Sequence, residues 1–320
     1  MDGRKGTLKI LDGMIGYRIE GNAEEGQWVR ITDYSGTDTE VRVPEEIEGF
    51  PVKSIAKKTF LSRKQLRKVI LPGTTEEIGD WVFAYCTNLE SVWLPRKEMK
   101  LGSRIFMECP KVERIYAYDP EGGGANFGKK AGNERDAESQ KAALLAAAAG
   151  LLDTEYLMSP LEAGSEEWIR KWDAKMKAAM EEGDGEGYTK MILCGEEDYG
   201  SSLEEFVKNK RKGKVRLALL RLMNPIGLPE YTEEELKDYL VSHTKGCESE
   251  ESWEVLLKEY GHKQEYFEKF TEIGGVTEEN FDAVLADMPG EYAEMKAFLI
   301  RYKAERMENR DFFEGLSLDF

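Results

Sequence analysis

One segment of the chain has the glycine and lysine spacing of a phosphate-binding loop. Residues 123–130 read GGANFGKK, fit G-x-x-x-x-G-K and follow a predicted strand. Such a loop holds phosphates with its backbone N–H groups and needs Ser or Thr after the lysine to bind Mg²⁺. Lys130 stands in that place. The segment is therefore interpreted as a linker, and no nucleotide or other cofactor is expected.

Histidines and cysteines offer little further material for chemistry. The chain has two histidines, His243 and His262, and four cysteines. A histidine-based triad or zinc site draws on several such residues placed together. We expect surface histidines, no catalytic residue and no metal ligand. Cys86 and Cys109 stand at matching places of a repeat and could approach each other, but buried free thiols are the favoured interpretation.

A run of bases stands out between Lys208 and Arg216, in an otherwise acidic half of the chain. It could contact an anionic partner. The favoured interpretation is the C-terminus of a helix, where cations stabilise the negative end of the helix dipole.

The elements that carry these residues begin with a repeat of 23 residues. Three copies without a gap place apolar residues in the same register, which chance does not explain. The recurring positions are Ile55, Ile78 and Leu101; Phe60, Phe83 and Phe106; Leu66, Leu89 and Val112; and Val69, Val92 and Ile115.

Each copy ends with apolar residues at the places of an L-x-x-V-x-L pattern, which is typical of a short strand. The segment between strands supplies a turn that returns the chain by one coil. Stacked coils place the strands side by side as a parallel sheet, because a single coil cannot bury its own apolar side. Phe60, Phe83 and Phe106 are expected to form one column inside the stack.

The pattern I-x-x-x-x-F-x-x-C-x-x-L-x-x-V-x-L-P over residues 45–118 resembles the BspA-like (Treponema-type) leucine-rich-repeat family. Cys86 and Cys109 match its cysteine, and Arg63 replaces it in the first copy. The stretch from Tyr17 to Val43 resembles the β-hairpin cap of such arrays. The resemblance implies an interaction or adhesion protein, often surface-exposed. The chain departs from those members in having three coils and no recognisable leader.

Residues between the valine and the last leucine of each pattern are expected to point away from the core. Neighbouring strands lie about 4.8 Å apart, so these side chains should form one stripe. An apolar stripe edged by bases has the composition of an interface centre. An external protein partner, a second copy or the helical half of the chain could cover it. The predicted binding residues are Arg42, Lys68, Ile70, Trp93, Arg114 and Tyr116.

Charge divides the chain unevenly. The first 120 residues hold 19 basic and 19 acidic residues, so the net charge of −17 falls on residues 121–320. Such a field disfavours nucleic acid and anionic membrane surfaces. No signal peptide and no apolar run of about 20 residues is found. A cytoplasmic protein without membrane insertion is predicted, or an extracellular one if a leader was removed.

The predicted fold is α+β. A β cap and three leucine-rich repeats occupy residues 1–120, a glycine-rich linker residues 121–137, and an acidic all-α domain residues 138–320. The all-α part is a helical repeat or a bundle, and residues 276–303 loosely resemble the last helices of a divergent ankyrin-like or other α-repeat array. A non-enzymatic interaction or scaffold protein is predicted, with the repeat sheet as its recognition surface. The alternatives are a secreted adhesin and a hydrolase housed in the helical half.

Overall fold

The structure is a computed structural model that describes residues 4–22, 26–121, 136–152, 154–189 and 202–307. Its contacts divide the chain into two units, Met1–Ala179 and Met180–Phe320. This division falls later than the boundary expected from composition, so the first helices lie in the same unit as the repeats. Residues 123–130, which carry the loop motif, and Cys194 lie outside the described residues.

The first unit opens with an antiparallel meander. Its strands are β1 (Lys5–Ile10), β2 (Gly13–Asn22) and β3 (Gly26–Ser35). This cap has one strand more than the predicted hairpin. The extra strand, β1, lacks the strong apolar alternation that marks β2, and its side chains are at most half-buried. The sequence pattern therefore did not indicate it.

Two parallel sheets continue from the cap along the repeats. In one sheet β3 is followed by β6 (Phe50–Ile55), β8 (Glu77–Ile78) and β10 (Lys100–Leu101). A short strand, β5 (Glu46–Ile47), pairs antiparallel with β6.

The other sheet contains one strand of each coil, and we call it the outer sheet. Its strands run in the order β4 (Glu40–Arg42), β7 (Lys68–Ile70), β9 (Ser91–Pro95) and β11 (Arg114–Tyr118). Their pairing follows the predicted 23-residue register, with Val69 opposite Val92 and Val92 opposite Ile115. The predicted solenoid is thus confirmed.

Aromatic rings form a column between the two sheets. The ring centroids of Phe60 and Phe83 lie 5.4 Å apart, and those of Phe83 and Phe106 lie 5.5 Å apart. Tyr34 of the cap extends the column, 5.2 Å from Phe60. Phe60 and Phe83 are fully buried, whereas Phe106, on the last coil, is half-buried. The predicted column therefore exists and gains a fourth ring from the cap.

Two cysteines attach each coil to the one before it. The thiol of Cys86 donates to the carbonyl oxygen of Phe60 at 3.0 Å, and that of Cys109 donates to the carbonyl oxygen of Phe83 at 2.9 Å. Both thiols are free. Burial raises the pKa of Cys86 to about 11 and that of Cys109 to about 12, from an ordinary value near 9.

These thiols should resist iodoacetamide in the native protein at pH 8 and react after unfolding in urea, because the thiolate is the reactive form. The sign for stability follows from the raised pKa values. As pH rises above about 9 the unfolded thiols ionise first, so the unfolding free energy should fall from about pH 9 towards pH 11. Mass spectrometry of labelled peptides measures the reaction. Equal labelling of Cys86 in native and unfolded protein would contradict this prediction.

Two helices complete the first unit. They are α1 (Ala137–Gly150) and α2 (Glu166–Glu181, whose last two residues fall in the second unit), with a 3₁₀ turn at Glu155–Leu157 between them. The indole N–H of Trp168 donates to the carbonyl of Leu157 at 3.0 Å, and that of Trp172 donates to the carbonyl of Leu144 at 2.9 Å. These bonds hold α2 against α1 and the turn.

In the described part of the second unit, helices are joined by short connections. They are α3 (Leu203–Met223), α4 (Glu230–Ser242), α5 (Glu251–Tyr260), α6 (Gln264–Glu272), α7 (Phe281–Asp287) and α8 (Ala293–Tyr302). Trp253, Phe267, Phe270 and Leu299 are fully buried in it. Among the described residues, no helix has the length and apolar character that a membrane span requires.

The basic run lies in the middle of α3, so the prediction that it ends a helix was wrong. Carboxylates of the same unit neutralise it along its length. Lys214 Nζ lies 2.8 Å from Asp184, and Arg216 donates to Glu259 at 2.6 Å. Ion pairs with more distant parts of the chain thus stabilise these cations in place of the helix dipole.

Candidate binding face of the outer sheet

The outer sheet presents two rows of side chains on its surface. Arg42 pairs with Ile70, Ile70 with Trp93, and Trp93 with Tyr116 across neighbouring strands. The second row runs parallel to it through Glu40, Lys68, Ser91 and Arg114. All six predicted binding residues thus lie in these two rows.

Trp93 and Tyr116 form a stacked pair, which we call the aromatic pair. Their ring centroids are 4.5 Å apart and their planes are inclined by 19°. Lys68 Nζ lies 4.7 Å from the centre of the Trp93 ring and 3.3 Å from a carboxylate oxygen of Glu40. Cation–π attraction therefore joins the two rows. Both rings are half-buried and keep part of their surface in contact with solvent.

Ile70 differs from its neighbours in the row, since only 2% of it is exposed. Tyr118 reaches across the strands, and its hydroxyl donates to the carbonyl oxygen of Leu71 at 2.7 Å. Ile70 and Tyr118 line the same cavity of about 220 Å³, together with Pro120. Burial, and then the charge of Glu45, raises the pKa of Tyr118 to about 12, so its hydroxyl stays a donor even above pH 10. Ile70 is therefore covered beside Tyr118 and adds little contact area to the face.

Helix α1 covers the end of the outer sheet at β11. Arg114 Nε donates to the hydroxyl of Ser139 at 3.2 Å. Arg96, directly after β9, donates to the carbonyl oxygens of Ala163 at 3.1 Å and Ala117 at 2.7 Å. Arg114, one of the predicted binding residues, is thus bound to α1 within the same unit. The exposed part of the face extends from Glu40 and Arg42 on β4 to the aromatic pair.

Sequence reasoning missed Tyr118, Arg96 and Ser139. The period of two along β11 carried a signal for Tyr118, because it places this residue on the same side as Arg114 and Tyr116. Ser139 had no such signal. Its helix is alanine-rich and buried over Ala142–Ala148, so its sequence does not distinguish the side that contacts a sheet.

The histidines lie apart from this face in the second unit. The His243 ring stacks on Tyr239 at 4.2 Å between centroids, and the ring of His262 lies 5.1 Å from Tyr292. In the part of the chain that the structure describes, no three His, Cys, Asp or Glu residues are placed to hold a metal ion.

Comparisons with known proteins agree with the repeat. Residues 46–120 match the BspA type leucine rich repeat region in six copies. A leucine-rich-repeat protein of Treponema pallidum is 27% identical, with a TM-score of 0.29, over 32% of this chain and 47% of that one. A leucine-rich cell surface protein of Faecalibacterium prausnitzii is 25% identical, with a TM-score of 0.28, over 36% and 30%. The chain thus spans less than half the length of either protein.

The search of curated proteins found no match. The ankyrin-like resemblance of residues 276–303 is supported by none of the matches described above and stays a prediction.

Proposed function

We propose that this chain is a non-enzymatic protein-binding protein, and that its BspA-type repeat region contacts a protein partner through the outer sheet. The aromatic pair carries this proposal, because Trp93 and Tyr116 stack half-buried on the outer side of the sheet and not in the core. Burial of apolar surface is worth roughly 25 cal/mol per Å², and these rings forgo part of it in the free protein. A partner that covers them would recover that free energy.

The composition of the face favours a protein over other ligands. Tryptophan, tyrosine and arginine are the residues that most often dominate protein–protein binding energy. Around the aromatic pair lie charges of both signs, Lys68, Glu40 and Arg42, which suit the polar rim of an interface. The repeat part itself is neutral, and the net charge of −17 on residues 121–320 disfavours nucleic acid as a partner of the whole chain.

A second copy of the chain is the alternative occupant of this face. Within the unit itself, α1 covers the face on its β11 side. The mass of the full chain in solution, measured over a hundredfold range of concentration, distinguishes a copy from a foreign partner. A dimer that Trp93→Ala dissociates would assign the face to self-association. The helical unit is proposed as a second platform for binding.

Trp93→Ala should weaken the partner contact by about 2 kcal/mol or more and leave the fold nearly unchanged. The substitution removes the larger ring of the aromatic pair and with it the contact area offered to a partner. The fold is little affected because this ring lies on the outer side of the sheet and not in the core. Full-length wild type and variant, immobilised at equal density, would capture proteins from the source cell. Binding of the captured protein is then measured in purified form.

Trp81→Ala is the matched control. Trp81 belongs to the preceding part of the same repeat and is half-buried as well, and its ring lies 5.6 Å from the Arg104 guanidinium carbon and 5.9 Å from Lys58 Nζ. It should retain the partner that Trp93→Ala loses. A partner held equally by both variants would place the contact elsewhere.

The cellular location stays a prediction. The description as a cell surface protein belongs to the Faecalibacterium protein. For this chain both predicted locations, cytoplasmic and extracellular, stay open.

A further inference from the structure

The second unit contains a cleft of about 780 Å³, a volume within the usual range of small-molecule sites, about 300–1,000 Å³. Side chains from α3, from α5, from the segment before α5, and from the end of α7 and the residues after it line the cleft. Seven of the lining residues are acidic and three are basic, so the charge of the lining is negative. Which of these charges are already neutralised decides what the cleft can bind.

The bases of the cleft are already engaged. Lys208 and Lys258 both bind the carboxylate of Glu254. Arg211 binds Asp184 at 2.8 Å. Burial by itself raises the pKa of Glu254, but hydrogen bonds from the surrounding lysines outweigh this effect and lower the pKa to about 2. Binding of an anion would therefore require these ion pairs to break.

The carboxylates of the cleft, in contrast, outnumber the bases that bind them. Glu250 and Asp287 share Lys245 Nζ, at 2.8 and 2.9 Å. Within the described residues, Glu204, Glu248 and Glu291 form no ion pair. All three side chains are exposed at the rim of the cleft. Their negative charge attracts a positively charged ligand.

Glu251 is the most informative residue of the cleft, because its side chain is 7% exposed. Its Oε1 lies 3.9 Å from Arg211 Nη1, beyond hydrogen-bonding distance. Its Oε2 is buried and has no hydrogen-bond partner among the residues described. Position in the first turn of α5 favours its negative charge but supplies no hydrogen to this atom. A buried carboxylate oxygen without a donor costs free energy, which a ligand N–H group would offset.

We propose that this cleft binds an organic cation, an alkylammonium or guanidinium group, with Glu251 as its anchor. Such a group brings several N–H donors and a positive charge. A metal ion fits less well, because no three acidic, His or Cys side chains of the described residues converge on one point. Tyr292 lines the cleft and is half-buried, so its ring can contact the alkyl part of the ligand. The cation can belong to a free polyamine or to a lysine or arginine of a peptide.

Titration calorimetry on the full chain tests this proposal with two probes, spermidine and a short peptide of alternating lysine and glycine. We expect saturable binding of at least one probe with a stoichiometry near one, weakened by added salt. Binding of spermidine alone assigns the site to free amines, and binding of the peptide alone assigns it to protein side chains. Glu251→Gln should lower the affinity at least tenfold, because it keeps the shape and removes the charge.

Glu279→Gln is the matched control, since it removes one exposed charge of the same unit outside the cleft. It should bind as the wild type does. If Glu251→Gln does not fold, the double variant Glu248→Gln, Glu291→Gln carries the test, because both side chains are exposed. No saturable binding of either probe, or equal affinity of cleft and control variants, would overturn the proposal. Either result leaves the proposed role of Trp93 unaffected, since that residue lies in the other unit.

Discussion

Replacement of Phe83 by alanine is expected to lower the unfolding free energy of the first unit by about 3–5 kcal/mol, the usual cost for a buried phenylalanine. Phe83 is fully buried and stacks on a ring at either side, at 5.4 and 5.5 Å. Its removal leaves a cavity between two coils that are held in place by hydrogen bonds. Because the backbone cannot close this cavity easily, the cost should lie well above that of an exposed site.

The loss of unfolding free energy is measured by urea unfolding of the full chain. Hydrogen exchange of the amides in β7 and β9 serves as the readout for the first unit. Phe106→Ala is the internal comparison, since Phe106 is half-buried at the end of the column and should cost less. The two substitutions remove the same atoms, so their difference reports burial. A loss below about 1 kcal/mol for Phe83→Ala would contradict its place at the centre of the core.

The repeat made this part of the fold predictable. Spacing alone identified Val69, Val92 and Ile115 as inward residues, and the observed pairing places them opposite one another. The same register placed Trp93 beside Tyr116 on the outer side. A regular spacing can be extended from one coil to the next, because each coil contacts mainly its neighbours.

Contacts outside the repeat were not predictable in this way. Ile70 carries the register of an outward residue, yet it is buried beside Tyr118, which reaches over from another coil. The bases of α3 were interpreted from their neighbours in the chain, whereas Asp184 and Glu259, which bind them, are remote in sequence. Such pairs depend on tertiary distances that neither period nor composition records.

Helix α1 is the clearest case, since its position against β11 decides how much of the binding face is open. Two features hold it there within the first unit. Arg114 bonds to Ser139 from the sheet side, and Trp172 bonds to the carbonyl of Leu144 from α2. Trp172 is fully buried, so it contributes bulk as well as this hydrogen bond.

Trp172→Ala should therefore lower the unfolding free energy of the first unit by about 3–5 kcal/mol, the cost of truncating a buried tryptophan. Trp172→Phe is the matched control, because it keeps an aromatic ring and loses the indole N–H. Its hydrogen-bond loss should be worth only about 0.5–1.5 kcal/mol, although the smaller ring adds some loss of packing. Urea unfolding of each variant gives both values, and similar losses for the two variants would contradict a dominant packing role.

The same substitution tests whether α1 governs access to the aromatic pair. If α1 loosens, amides of β11 should exchange faster, while those of β7, two strands away, keep their rates. Tyr116 would then lose cover on one side, and the area available to a partner at the outer sheet would grow. Unchanged exchange in β11 would show that the strand is protected by its pairing with β9 alone. In that case α1 would be a support for α2 and would have no influence on the binding face.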